Sequence, residues 1–119
     1  MNYFFDSYAI IELFKNSPSY EKFKDEIIIT SALNLAEVYY IIALCLGENI
    51  ADKVGNIKMN FIEINPSIAL EASKFRFRNK SLKFSYADCI GYLMAKKANL
   101  KFLTGDEQFK GFEDVEFVK

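Results

Sequence analysis

Apolar positions along this chain switch repeatedly between a period of two and a period near 3.6, and the switches mark an alternation of strands and helices. Residues 3–5 form a short apolar run that ends at Asp6. Ile10, Ile11, Leu13 and Phe14 then recur at helical spacing, with Asp6 or Ser7 as cap. Ser17-Pro18-Ser19 ends that helix and opens a short one over residues 20–24. Residues 27–29 are all isoleucine, the pattern of a strand covered on both faces. Ser31 caps a helix over residues 32–46 in which Asn34 and Glu37 are the only strongly polar side chains, so it is expected to be largely buried. Gly47 closes it. A more polar helix over residues 48–59, with Ile50, Val54 and Ile57 as its apolar positions, completes a helical hairpin. Its two readings are a lid or partner-binding arm and plain cover for the core.

Residues 61–64 read as a third strand, and Asn65-Pro66 opens the next helix with proline in its first turn, continuing to Arg76. Ser85 caps a further helix, with Asp88 three residues later in capping-box position. Its apolar stripe is built from small residues, Ala87, Ile90, Gly91, Met94 and Ala98, and Asn99 is the stop. Residues 101–104 form a strand that Gly105-Asp106 breaks. Phe109 and Phe112 are core anchors, Glu113 and Asp114 turn residues, and residues 115–118 a last edge strand. The sum is one layered α/β domain over residues 1–119 with parallel strands.

Four acids acquire meaning from that order. Asp6 follows a strand, Glu37 lies early in a helix after a strand, Asp88 begins a helix and Asp106 follows a strand. Strand polarity places all four at the edge where open α/β sheets hold their ligands. Each has a plainer reading: Asp6 as a helix cap, Asp88 as the capping-box acid, Glu37 as one half of a buried pair with a base or a backbone amide. Basic residues are scarce in the apolar stretches, which favours a Glu37 that faces a cation. Four clustered carboxylates repel one another and raise one another's pKa values, and hard divalent cations such as Mg²⁺ or Mn²⁺ relieve that repulsion.

Composition narrows the chemistry. The chain has no histidine, which removes imidazole bases, His-dependent triads and most zinc sites. Water activated by a carboxylate-held metal is the remaining nucleophile suited to a phosphodiester. The net charge of −1 offers no global field for nucleic acid. Local charge does exist: between residues 73 and 87 there is no acid, while Lys74, Arg76, Arg78, Lys80 and Lys83 are interleaved with Phe75, Phe77 and Phe84. That strip reads either as a grip on a phosphate backbone or as a solvated helix end whose cations favour the C-terminal dipole. Cys45 and Cys89 sit in apolar helices and read as buried, unpaired packing residues in a reducing compartment. No signal peptide is visible. Residues 27–46 are long enough to span a bilayer, but Thr30, Ser31, Asn34 and Glu37 interrupt them and acids flank them. A buried strand and helix explain the window better, so a cytoplasmic protein with no membrane partner is expected.

These motifs resemble the PIN domain family, and most of all its small VapC-type toxin ribonucleases. Phe4-Phe5-Asp6-Ser7-Tyr8-Ala9 is similar to the family's opening strand, acid and helix. Leu35-Ala36-Glu37-Val38, Ser85-Tyr86-Ala87-Asp88 and Leu103-Thr104-Gly105-Asp106-Glu107-Gln108-Phe109 follow in the family's order, the last being the most specific. The resemblance implies a three-layer fold, a central parallel sheet flanked by helices. It implies Asp6, Glu37, Asp88 and Asp106 around one or two Mg²⁺ or Mn²⁺ ions, with Ser7, Asn34 and Thr104 in support. It implies RNA hydrolysis without the 2′-hydroxyl as nucleophile, a homodimer and a small antitoxin partner, for which residues 46–59 are a candidate surface. The competing readings are a PIN-like module that binds RNA or protein without cutting, and a phosphatase. The second lacks the usual Asp-x-Asp pair at Asp6-Ser7-Tyr8.

Overall fold

The computed structural model describes residues 2–119. Five parallel strands make one sheet: β1 (Tyr3–Phe5), β2 (Ile29–Thr30), β3 (Asn60–Phe61), β4 (Lys101–Thr104) and β5 (Val115–Phe117), in the order β3-β2-β1-β4-β5. Successive side chains of a strand face opposite ways, and the two middle strands use both directions. Phe4 and Phe102 pack on one face of the sheet, Phe5 and Leu103 on the other, all with no exposed surface. Burial of each contributes roughly 1.5–3 kcal/mol.

Helices α4 (Pro66–Arg78) and α5 (Tyr86–Lys97) cover the Phe4 face. The Phe5 face is covered by α1 (Ser7–Phe14), α2 (Ala32–Leu46), α3 (Glu48–Ala51) and the 3₁₀ turns Pro18–Phe23 and Asp52–Asn56. This is the expected three-layer α/β arrangement. Small residues set the spacing on the α5 side. A Cβ placed on Gly91 would lie 2.9 Å from the Phe4 ring and 3.1 Å from the Phe102 ring, so only glycine lets α5 approach this closely. Asn99 ends the helix in the left-handed region at φ 57°, as its side chain permits. The inward stripe runs Ala87, Ile90, Gly91, Met94 and Ala95; Ala98 falls beyond the last turn and is exposed.

Four other expectations need correction. Helix α2 is not largely buried: only Asn34, Val38 and Ile42, spaced by four, are buried, with Leu35 and Ala43 packed partly buried beside them. Tyr40 and Leu44 are 64% and 68% exposed, because no further layer lies over that side among the described residues. Cys45 shares the open side and is exposed, whereas Cys89 is buried, and both are free. The second and third strands are displaced by register. Ile29 pairs with Phe4 and with Asn60, and Thr30 donates its hydroxyl to the Phe5 carbonyl at 2.8 Å, leaving Ile27 half exposed. The helix expected over residues 48–59 breaks after one turn into the 3₁₀ segment, with Ala51 and Val54 turned into the core. On that side it is core cover.

Among the described residues no helix is long and apolar enough to cross a membrane. The strands β1, β2 and β3 step outward to one edge. The chain then returns through α4 and α5 to set β4 on the other side of β1. The strand order therefore reverses between β1 and β4, and a crevice opens at their carboxyl ends.

Candidate functional site

The reversal point carries the acids. Asp6 follows β1 and donates its backbone N–H to the Leu103 carbonyl of β4 at 3.0 Å. Asp106 follows β4, Asp88 sits in the first turn of α5, and Glu37 faces the same space from α2. All four line one open cleft of about 610 Å³. Glu12 and Glu107 line it too, and among the described residues the single basic side chain on its wall is Lys119, which is paired with Glu107 at 2.8 Å. Six carboxylates against one paired amine give this cleft a strongly negative interior.

Asp6 is 2% exposed and occupies the cap position of α1, but its side chain makes no capping hydrogen bond. Its Oδ2 accepts from the Thr104 hydroxyl at 2.7 Å instead, and its Oδ1 is buried without a partner. The capping role considered for Asp6 is therefore not the one it plays. Burial, then the nearby Asp88 carboxylate, push the Asp6 carboxyl well above the usual range; the Thr104 bond offsets part of this. Asp88 does close a capping box with Ser85, accepting the Ser85 N–H at 2.8 Å. Burial nevertheless raises it to about 6, against the Ser85 bond and with help from Glu37 and Asp106. Glu37 has no basic partner among the described residues; a long 3.5 Å contact from the Ser85 hydroxyl is its one hydrogen bond. Asp106 accepts the Gln108 N–H at 3.0 Å and donates its own N–H to the Thr104 hydroxyl oxygen at 3.1 Å.

The supporting residues act through one another. Asn34, fully buried, accepts the Ser31 hydroxyl at 2.6 Å and donates to the Ser7 hydroxyl at 3.0 Å. This chain fastens the start of α2 to the start of α1, beside Asp6. Ser7 lines the cleft, whereas Asn34 and Thr104 lie behind it. The basic strip is elsewhere. Arg76, Lys80 and Lys83 surround a second hollow, Lys74 and Arg78 do not line it, and none of the five reaches the acidic cleft. Eight lining residues were not anticipated as site residues: Tyr8, Ile11, Glu12, Ile41, Ser85, Gly105, Glu107 and Lys119. For Tyr8 and Glu12 a signal existed, since with Ile11 they share one helical face with spacings of three and four. For Lys119 there was none.

The oxygen-only donor set suits a hard divalent cation, and so does a buried carboxylate oxygen with no partner. Among the described residues no three acidic side chains are yet drawn into a ready cage. The cleft holds the donors at its walls, with Asp88 close enough to raise the proton affinity of Asp6, and Glu37 and Asp106 close enough to raise that of Asp88.

The PIN domain family model matches residues 3–115. No curated protein matches the sequence significantly. The fold is similar to that of Mycobacterium tuberculosis VapC20, a sarcin-ricin loop cleaving toxin, at TM-score 0.78 and 15% identity over 96% of this chain and 98% of that one. It is similar to Rickettsia felis VapBC2, solved bound to a DNA fragment from its promoter, at TM-score 0.74 and 19% identity over the whole of both chains. A toxin–antitoxin complex from Klebsiella pneumoniae aligns at TM-score 0.74 and 20% identity, over 98% of this chain and 96% of that one.

Proposed function

The chain belongs to the PIN domain family, and from that premise we propose that it is a Mg²⁺- or Mn²⁺-dependent endoribonuclease that hydrolyses RNA phosphodiesters, and the toxin of a toxin–antitoxin pair. One observation carries the reading: the carboxylates gathered at the reversal point include an Asp6 oxygen that is buried and unpartnered. Such an atom costs free energy unless a cation or proton meets it.

Asp6, Glu37, Asp88 and Asp106 would hold the ion. When bound, it supplies acidified water and neutralises charge building on the phosphoryl oxygens. The chain's own groups do the positioning. Thr104 takes one Asp6 oxygen and leaves the other for the cleft. Ser85 fixes Asp88 through its backbone and reaches Glu37 with its hydroxyl. The Gln108 amide orients Asp106. The Ser31–Asn34–Ser7 chain keeps α1 and α2 in register beside Asp6. A bound cation would offset carboxylate charge that otherwise repels a substrate phosphate, so RNA binding at the cleft is expected to depend on metal.

The expected partners are a small antitoxin and a second copy of this chain, in the cytoplasm. The solved Rickettsia and Klebsiella relatives with antitoxins support the first. The test is cleavage of a panel of single-stranded and structured RNAs with Mg²⁺ or Mn²⁺, with EDTA and Asp6→Asn as controls. Cutting lost in both controls is expected. Cutting that persists in Asp6→Asn, or RNA binding indifferent to EDTA with no cutting, overturns the proposal.

A further inference from the structure

We propose that the hollow between the end of α4 and the start of α5 is a subsite for one unpaired nucleotide of the RNA, adjacent to the bond that is cut; this rests on the ribonuclease reading above. The hollow encloses about 540 Å³, and Arg76, Phe77, Lys80, Lys83, Phe84 and Tyr86 are among the residues that line it.

Arg76 is half-buried, and neutral groups alone hold it. Its Nε donates to the Phe84 carbonyl at 3.0 Å, and its guanidinium lies 4.3 Å from the Tyr86 ring centroid. Among the described residues Arg76, Lys80 and Lys83 have no carboxylate within ion-pair distance; other cations without a pair, such as Lys22, Lys53 and Lys110, lie outside the hollow, whereas these three ring it. In a chain of net charge −1, three uncompensated cations around one concavity make a local anion site. The aromatic groups there are open as well. Tyr86 is 54% exposed and Phe77 69%, with the Lys80 ammonium 4.6 Å from the Phe77 ring centroid. Exposed flat rings, a guanidinium plane and free cations suit one ligand chemistry, a base stacked on the Arg76–Tyr86 pair with its phosphate on Lys80 and Lys83. A duplex buries its base faces, so the nucleotide must be unpaired.

The hollow is tied to the acidic cleft in two ways. The segment Phe84-Ser85-Tyr86 is a shared wall, since Ser85 lines the cleft and its neighbours line the hollow. The Gln108 side chain accepts the Lys83 N–H, while the Gln108 backbone N–H holds Asp106. A nucleotide seated in the hollow is thereby placed beside the acids.

The test reads anisotropy of a labelled single-stranded oligoribonucleotide in EDTA, and KM and kcat for its cleavage in Mg²⁺. Tyr86→Leu is expected to weaken binding or raise KM about five-fold or more, since stacking one base on an aromatic carries that order of effect. Tyr86→Phe, which keeps the ring, stays within about two-fold, and the Leu variant's loss falls on KM rather than kcat. Lys80→Ala with Lys83→Ala is expected to lower the slope of log affinity against log salt by about 1.4. Should Tyr86→Leu fail to fold, the Lys80→Ala, Lys83→Ala pair carries the test, with a raised KM expected alongside the lowered slope. A parent that cuts RNA while Tyr86→Leu or its substitute matches it in affinity and KM overturns the subsite and leaves the nuclease standing. A parent that neither cuts nor binds any RNA overturns both.

Discussion

The Thr104 hydroxyl donates to Asp6 Oδ2 at 2.7 Å, joining the ends of two adjacent parallel strands that lie far apart in sequence. The same hydroxyl oxygen accepts the Asp106 N–H. One buried side chain therefore sets the direction of two acids. Thr104→Val keeps the shape and removes the hydroxyl. It is expected to cost about 10- to 100-fold in metal affinity or cleavage, the usual scale for a group that orients a ligand. Mn²⁺ titration followed by calorimetry, alongside cleavage rates, checks this; unchanged affinity and rate would show that the carboxylate is oriented by packing alone.

Asp6 and Asp88 are costly to the fold when ionised. Both carry raised proton affinities. A carboxyl near 3.8 when unfolded and about 6 when folded favours the folded chain most below pH 4, and that contribution is lost as pH rises through 6. In EDTA, Asp88→Asn is therefore expected to gain stability over the parent as pH climbs from 4 to 7, reaching roughly 2–3 kcal/mol at pH 7. Cleavage should vanish in this variant and in Asp6→Asn. Urea denaturation at pH 4.5 and 7 measures the difference. A gap that does not widen with pH would count against the buried-charge argument. Adding Mn²⁺ at pH 7 should raise the melting temperature of the parent and leave that of Asp6→Asn nearly unmoved.

Ser85 has two tasks that one substitution separates. As the cap of α5 its hydroxyl accepts the Asp88 N–H at 3.1 Å, and as a donor it reaches Glu37 at 3.5 Å. Ser85→Ala is expected to lose about 1 kcal/mol of stability and to lower cleavage. Ser85→Asn, also a good cap, should restore the stability without restoring the rate. Recovery of both would reduce Ser85 to a cap.

Much of this arrangement was legible in the residues themselves, because the signals were local. The run from Ser85 to Asn99 carried its own cap, stripe and stop, and the folded helix uses all three, with Ala95 in place of Ala98 at the end of the stripe. The convergence of Asp6, Glu37, Asp88 and Asp106 followed from strand polarity and holds in the cleft. What local pattern could not supply was the partner of each surface. Helix α2 reads as apolar all round, yet periodicity does not tell whether a second layer exists above Tyr40 and Leu44. The register of β2 depends on Phe5 accepting the Thr30 hydroxyl across the sheet. The same holds for Asp6, whose side chain prefers Thr104 in the neighbouring strand to the amides of its own helix.

Gly105 shows how tightly the last acid is placed. It links Thr104, behind the cleft, to Asp106 on its wall, and it is buried. A Cβ built on it would collide with the Tyr8 ring and come within 2.5 Å of the Val118 carbonyl oxygen. The Val118 carbonyl is backbone that follows β5 and cannot yield without moving the chain there, and the Tyr8 ring of α1 would have to swing aside. Gly105→Ala is expected to cost about 1–3 kcal/mol, the range for overpacking a filled site. It should also displace the Asp106 loop and depress cleavage well beyond what that loss of stability explains at temperatures where the variant is still folded. Gly55→Ala is the control: a Cβ there meets nothing within 4 Å, and its φ is not in the left-handed region. It should be neutral or gain up to about 1 kcal/mol by restricting the unfolded chain. Melting curves and cleavage rates of the two variants decide the matter. If Gly105→Ala cleaves at the parental rate while folded, the Tyr8 ring moves freely and Asp106 is held by the Thr104 and Gln108 hydrogen bonds alone.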